Sequence, residues 1–143
     1  MDKIKKNIIN LGIQGGKLKS IFPSSTVTIS KNVLTWKHTL QPSPLSEKYK
    51  IKLTYRLGKS PNVYVLSPVL RKRKEEDDFN HLYSEEKQWL CLYYKRAREW
   101  DTSMLLAAVL VPWISEWLLH YEIWSVTGKW NGGGIQHDMD INQ

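Results

Sequence analysis

The sequence predicts an α+β fold in which an antiparallel four-stranded meander is covered by helices. The chain has 143 residues, which is the size of one domain, and we expect residues 1–143 to form a single unit. Hydrophobic residues alternate with a period of two between residues 26 and 67, whereas between residues 102 and 127 they recur at helical spacing. Strands therefore precede the main helices, which is typical of one sheet with helices packed on it.

The composition is typical of a globular protein with an aromatic second half. Hydrophobic residues make up 41% and charged residues 24%, and most of the seven tryptophans and seven tyrosines follow residue 80. The net charge of +7 indicates affinity for an acidic surface. However, the basic run Arg71–Lys74 is followed directly by the acidic run Glu75–Asp78. This local cancellation argues against a nucleic-acid interface, so we expect no nucleic-acid partner.

Targeting signals are not evident in the sequence. The longest nearly apolar run, Met104 to Ile114, is shorter than the ~18 residues that a membrane span needs. The N-terminal region also lacks the long apolar core of a signal peptide. With one cysteine in the chain, we expect a cytoplasmic protein with no membrane partner.

Residues 1–22 form the predicted N-terminal helical region. Isoleucines and leucines are spaced among lysines there, which indicates an amphipathic helix. Gly12, Gly15 and Gly16 lower the helix propensity, so we expect them to interrupt this helix. Pro23 then ends the pattern.

Residues 26–67 form the predicted meander, because consecutive strands joined by short turns pair antiparallel. The clearest alternation puts Tyr49, Ile51, Leu53, Tyr55 and Leu57 on one face. The four predicted strands are Thr26–Ile29, Val33–Leu40, Tyr49–Leu57 and Val63–Leu66.

The C-terminal helices are predicted over residues 102–127. Asp101, Thr102 or Ser103 can cap a helix that begins at Met104, and Pro112 either kinks that helix or opens a second one.

An aromatic stripe follows at steps of four, four and three residues and is predicted to pack as core against the sheet. Gly128 suits the helix C-cap, and residues 128–143 are expected to be a glycine-rich loop and tail. The stripe consists of Trp113, Trp117, Tyr121 and Trp124.

Residues 80–100 show no clear period and are predicted to be an ordered active-site loop. They contain the chain's only cysteine, Cys91, with His81 ten residues upstream. A single cysteine forms no internal disulfide, so Cys91 is either a small buried hydrophobe or a thiol with a chemical role. The sequence pattern around it leaves both alternatives open.

The order of these parts resembles the ubiquitin-conjugating enzymes. That family has a helix, a four-stranded meander and a His-x9-Cys loop with a Cys-Leu pair, and His81, Cys91 and Leu92 stand at that spacing. Trp100 and Asp101 resemble the tryptophan and small polar residue that follow. The closer likeness is to short members encoded in type II CBASS antiphage operons, and it covers residues 26–137. Its motifs are His-x-Tyr at residues 81–83, Leu-Cys-Leu-Tyr at 90–93, Glu-Trp at 99–100, Pro-Trp-x3-Trp-Leu-x2-Tyr-Glu-x-Trp at 112–124 and Thr-Gly-x-Trp-x-Gly-Gly-Gly at 127–134.

The resemblance implies a catalytic site with three residues. Cys91 would accept an acyl group as a thioester, and His81 would order the loop or transfer a proton. The family's asparagine, which stabilises the oxyanion, falls at Tyr83, whose hydroxyl is a candidate donor, with Asn80 as an alternative. Trp100 would be a wall of the site or part of the core.

Such chemistry needs a partly exposed thiol with a pKa near or below the usual ~8.5. Nearby cations would lower that pKa and nearby carboxylates would oppose them. The cations are Lys87, Lys95, Arg96 and Arg98, and the carboxylates are Glu85 and Glu86.

The sequence predicts no metal and no cofactor. His38, His120 and His137 show no metal-ligand spacing with the one cysteine. We interpret His120 as a hydrogen-bonded core or rim histidine. The glycines at 132–134 do not end the chain, so we interpret them as a loop that needs close backbone approach rather than as a conjugated tail.

The resemblance also implies partners. Related proteins take the C-terminal glycine of a cGAS-like nucleotidyltransferase onto their cysteine and pass it to an amine. A separate adenylating enzyme would precede this step, because no P-loop or Gly-x-Gly-x-x-Gly motif occurs. Arg71–Lys74 is a candidate docking surface. Three competing interpretations remain: an inert binding module with a buried Cys91, a cysteine hydrolase, and a basic nucleic-acid binder.

Overall fold

The computed structural model describes residues 7–74, 81–92 and 100–130. These residues form helices α1 and α2, strands β1 to β6, and a π-helical turn that leads directly into α2. Their bounds are α1 Leu11–Ile21, β1 Thr26–Ser30, β2 Val33–Leu40, β3 Tyr49–Arg56, β4 Asn62–Ser67, β5 Leu82–Ser84, β6 Trp89–Leu90, the π-helical turn Leu106–Leu110 and α2 Val111–Thr127.

The sheet is antiparallel and has the strand order β1-β2-β3-β4-β6-β5. With the two helices, this sheet confirms the α+β class. The prediction of a four-stranded sheet was wrong, because the sheet has six strands. The stretch predicted to be a loop contributes β5 and β6, which the turn at residues 85–88 joins. Trp89 pairs with Tyr64 of β4, and the Val65 N–H donates to the Gln88 carbonyl at 3.0 Å. Strands of three and two residues are too short to show an alternation in the sequence.

The four predicted strands form close to their predicted bounds. Lys31 and Asn32 have φ values of 53° and 65°, which give a tight two-residue hairpin turn between β1 and β2. In β3, residues Tyr49, Ile51, Leu53 and Tyr55 are buried, as the alternation predicts. The fifth residue predicted for this face, Leu57, lies beyond the end of the strand and is exposed. The four buried residues form the inner face of the sheet, which packs against the π-helical turn and α2 in one core cluster.

Helix α1 runs through the three glycines that we expected to interrupt it. Asn10 caps the helix, because its side-chain oxygen accepts the Ile13 N–H at 2.8 Å. A Cβ on Gly15 would lie 3.0 Å from Val27, so the missing side chain lets the helix pack closely on β1. This packing offsets the low helix propensity of glycine.

The start of the second helical segment differs from the prediction. None of the three predicted caps occupies the N-cap, which is Leu105. Asp101 instead accepts hydrogen bonds from the backbone and hydroxyl of Ser103, both at 2.7 Å, in the preceding turn. The Leu106 N–H is bound by the side chain of Gln14 at 2.8 Å. A residue of α1 therefore caps this helical segment.

Helix α2 ends as the sequence predicts. Pro112 lies in its first turn, which agrees with the second of the two roles considered for that residue. Gly128 adopts a φ of 82°, and its N–H donates to the Trp124 carbonyl at 2.8 Å. Along the stripe Trp117 and Trp124 are buried, while the other two aromatic residues are half-buried against the core. Within the described parts of the chain, neither helix has the length and hydrophobicity of a membrane span.

Candidate functional site

Cys91 lies directly after β6, where the β5–β6 pair ends. Leu82 of β5 is opposite Leu90 of β6, so the residues that follow in the ladder are His81 and Cys91. The Cys91 N–H donates to the His81 carbonyl at 2.9 Å. The structure therefore brings together the histidine and the cysteine that the spacing singled out, through their backbones.

The Cys91 side chain is buried, with 6% of its surface exposed. Among the described residues it counts with the buried hydrophobic side chains of the core, as do its two neighbours, Leu90 and Leu92, which also belong to the contiguous core cluster. Side chains alternate in an extended segment, so Cys91 and its neighbours project to opposite sides. Cys91 is therefore a buried residue on the side of this segment that faces away from Leu90 and Leu92.

His81 has an unusual backbone conformation and two attachments. Its φ is 70°, a left-handed value that residues other than glycine rarely adopt. Its carbonyl accepts a second hydrogen bond, from the indole Nε1–H of Trp117 at 3.1 Å. Its ring stacks on Trp130, with the ring centroids 4.4 Å apart and an interplanar angle of 18°. The histidine thus joins the cysteine segment to α2 and to the residues after α2.

Tyr83 lies in the middle of β5 and is 53% exposed. Its ring packs on Trp89 at a centroid distance of 4.8 Å, and Trp89 stacks in turn on Tyr64 at 6.0 Å. The Lys52 ammonium lies over the Tyr64 ring, 5.4 Å from its centroid. These contacts form a row on the face of the sheet opposite the core.

The predicted charged neighbours lie on the β5–β6 turn and across from it. Glu85 and Glu86, with Gln88, line an open cleft of about 790 Å³ that Arg71–Lys74 also line. Lys72 and Glu85 form an exposed ion pair at 3.9 Å. Part of the basic run is therefore neutralised inside the described structure as well.

Several predicted residues lie outside the described ranges. They are Asn80, Lys95, Arg96, Arg98, Gly132, Gly133, Gly134 and His137.

Trp100 is half-buried and packs against the core. Its Nε1–H donates to the Tyr55 hydroxyl at 3.2 Å, and the two rings meet edge to face at 5.6 Å. His120 lies 6.1 Å from the Trp130 ring, and its buried Nδ1 has no hydrogen-bond partner among the described residues. The interpretation of His120 as a hydrogen-bonded histidine therefore does not hold for Nδ1. Within the described ranges, no three His, Cys, Asp or Glu side chains are grouped as a metal site would require.

The roles of Trp117 and Trp130 at this site were not predicted. The helical spacing assigned Trp117 to the core, and the glycines next to Trp130 assigned it to a loop. Trp117 meets His81 because α2 packs beside the cysteine segment, and Trp130 meets it because the chain reverses at Gly128 after α2. Their edge-to-face contact, with centroids 5.2 Å apart, completes the cluster around the histidine.

The family model of the Type II CBASS E2 protein matches residues 14–138. The chain belongs to the Type II CBASS E2 protein family. The matched region contains the sheet, α2, His81 and Cys91, so the family expected from the motifs is confirmed. Membership assigns the protein to CBASS antiphage defence and to the E2 class, whose name denotes conjugating enzymes. A search of curated proteins found no match.

Proposed function

We propose that this CBASS E2 protein is a cysteine-dependent conjugating enzyme. It carries the C-terminal glycine of a cGAS-like nucleotidyltransferase as a thioester on Cys91 and passes that glycine to an amine. The observation that supports this most is the position of Cys91. It is the chain's only thiol, and its backbone lies beside that of His81 in the family-matched region.

The chemistry consists of two acyl transfers. In the first, the Cys91 thiolate attacks the carbonyl carbon of a glycine activated as an acyl adenylate; the C–S bond forms and adenosine monophosphate leaves. In the second, an amine attacks the thioester carbon, the C–S bond breaks and the thiolate returns. The thiol proton goes to solvent or base in the first step, and the amine loses a proton in the second. A separate adenylating enzyme supplies the activated glycine.

His81 and Tyr83 have different proposed roles. His81 orders the cysteine segment through its carbonyl, which accepts the Cys91 N–H at 2.9 Å. Tyr83 is the proposed oxyanion donor, because it lies on the strand next to the cysteine segment and half of its surface is exposed. Replacing Tyr83 with Phe removes the hydroxyl and keeps the ring on Trp89, so we expect it to slow both transfers without unfolding the protein.

One observation favours a second function. Cys91 is only 6% exposed, whereas a thiol that attacks a large acyl donor must be accessible to that donor. An inert module of the same fold that holds the nucleotidyltransferase would bury its cysteine in this way. Conjugation therefore requires that docking of the partner opens a path to Cys91.

Intact-mass measurement separates the two functions. The protein is incubated with the nucleotidyltransferase, ATP and candidate adenylating enzymes, with and without thiol reductant. We expect an adduct that reductant removes and that Cys91→Ala abolishes. Cys91→Ser is the matched control, because an oxygen ester would survive the reductant. A stable complex without any adduct, with each adenylating enzyme present, would support the binding module.

We also propose that the basic run Arg71–Lys74 docks an acidic surface of the nucleotidyltransferase. The four residues line one open cleft together with Glu85 and Glu86, so cations outnumber carboxylates there and the cleft keeps a net positive charge. Reversing all four charges should weaken binding, and unchanged binding would refute the idea. A control variant reverses four other exposed cations, Lys31, Lys37, Lys48 and Lys59, and carries the same net charge.

A further inference from the structure

The His81 carbonyl attaches the cysteine segment to α2. It accepts the Cys91 backbone N–H at 2.9 Å and the Trp117 indole N–H at 3.1 Å. A carbonyl oxygen has two lone pairs and can bind both donors. The second donor comes from a different element, so this carbonyl connects the end of β6 with the buried face of α2.

The backbone at His81 needs such support. Its φ of 70° lies in the left-handed region, which is costly for a bulky residue such as histidine. Surrounding contacts must therefore hold this backbone conformation. Two hydrogen bonds fix the direction of the carbonyl. Stacking of the His81 ring on Trp130, with the centroids 4.4 Å apart, restrains the side chain.

Trp130 and Trp117 act together. Trp130 packs against the Trp117 ring edge to face, with centroids 5.2 Å apart, while it stacks on His81. It reaches this place because Gly128, with a φ of 82°, reverses the chain after α2. Trp130 therefore contacts the ring of His81, and Trp117 contacts its carbonyl.

We propose that Trp117 is a positioning residue for Cys91, acting through the His81 carbonyl, with Trp130 holding the histidine ring. This inference rests on the proposed function, in which Cys91 must present its thiol in one geometry. Without the indole N–H, the peptide after His81 can rotate, and the Cys91 amide that shares this carbonyl loses its fixed position. Misplacement of a nucleophile by a fraction of an ångström lowers the rate of acyl transfer.

The test uses Trp117→Phe, which removes the N–H and keeps an aromatic ring. Trp36→Phe is the matched control: Trp36 is fully buried, and its indole N–H has no hydrogen-bond partner among the described residues. The same chemical change therefore costs packing at both positions and a hydrogen bond only at Trp117. Urea unfolding establishes that both variants are folded under the assay conditions.

The first readout is alkylation of native protein by iodoacetamide, which reports Cys91 alone because the chain has one cysteine. Alkylation of a buried thiol requires local opening. The loss of one hydrogen bond should raise the opening population, and with it the alkylation rate, by about fivefold in Trp117→Phe. Trp36→Phe should leave the rate unchanged. Equal rates in Trp117→Phe and the wild type, or equal increases in both variants, would overturn the proposal.

The second readout is single-turnover thioester formation with the adenylated nucleotidyltransferase. In Trp117→Phe we expect the maximal rate to fall by about fivefold or more, while the half-saturating donor concentration stays constant. A change in half-saturation alone would overturn the positioning role. If the wild type forms no thioester, the proposed function fails, and the alkylation comparison still decides whether Trp117 positions Cys91. If Trp117→Phe does not fold, Trp130→Leu takes its place, with the same increase in alkylation expected and an unchanged rate refuting the proposal.

Discussion

Replacing Gln14 with Leu should destabilise the protein strongly, because the Gln14 side chain binds two backbone groups of a distant segment. Gln14 is fully buried in α1. Its side-chain amide donates to the Met104 carbonyl at 2.8 Å, and its side-chain oxygen accepts the Leu106 N–H at 2.8 Å. Leucine has a similar size but bonds neither group. The substitution therefore leaves a buried N–H and a buried carbonyl without partners at the start of the π-helical turn.

The expected loss follows from these two groups. An unsatisfied buried backbone group costs about 1–3 kcal/mol, so for two groups we expect the free energy of unfolding to fall by about 2–6 kcal/mol. Urea unfolding followed by tryptophan fluorescence measures it. Gln41→Leu is the matched control: Gln41 is exposed, and its partners Ser46 and Pro44 lie in a solvent-exposed loop where water replaces the lost bonds. A loss below about 0.5 kcal/mol in Gln14→Leu, within the usual range of surface substitutions, would refute this account of the helix start.

The effect of Gln14→Glu on stability should depend on pH. A protonated carboxyl can donate to the Met104 carbonyl and accept from Leu106, whereas a carboxylate cannot donate. Burial raises the pKa of the introduced carboxyl above the usual ~4.3. The variant should therefore approach wild-type stability as the pH falls and lose stability as the pH rises. A stability difference from the wild type that does not change with pH would contradict this assignment.

Two further predictions concern other buried polar contacts. Tyr49 donates to the Glu122 carboxylate at 2.7 Å, and burial together with this bond raises the tyrosine pKa. Tyr49→Phe and Glu122→Gln should each lower the free energy of unfolding by about 1–3 kcal/mol. The double variant should lose less than the sum of the two single losses, because both substitutions remove the same bond; additive losses in urea unfolding would contradict a shared bond. Burial lowers the pKa of His38 below 6.5. The unfolded chain then binds the proton more readily, so stability should fall as the pH drops below about 6.5. His38→Phe keeps the packing on Phe22 and Trp36 and should reduce this dependence; equal pH dependence of the urea midpoint in both proteins would exclude His38 as its source.

The local sequence pattern was sufficient to predict a helix or strand wherever one face of that element is buried along its length. The alternation of β3 predicted which residues of that strand are buried, and Gly128 predicted the end of α2. The motifs around His81 and Cys91 identified the family. The site residues could be proposed in this way because residue type and spacing are properties of the chain itself.

The sequence by itself determined the fold class, the first four strands, the family and the pair formed by His81 and Cys91. The tertiary structure alone decided the other features. Strands β5 and β6 are too short for a periodic pattern and exist because β4 pairs with Trp89. Gln14 and Trp117 bind backbone groups 92 and 36 positions away in the chain. Periodicity reports only which face of an element is apolar, whereas such bonds depend on how distant elements pack, and that packing brings α2 to the histidine beside the cysteine.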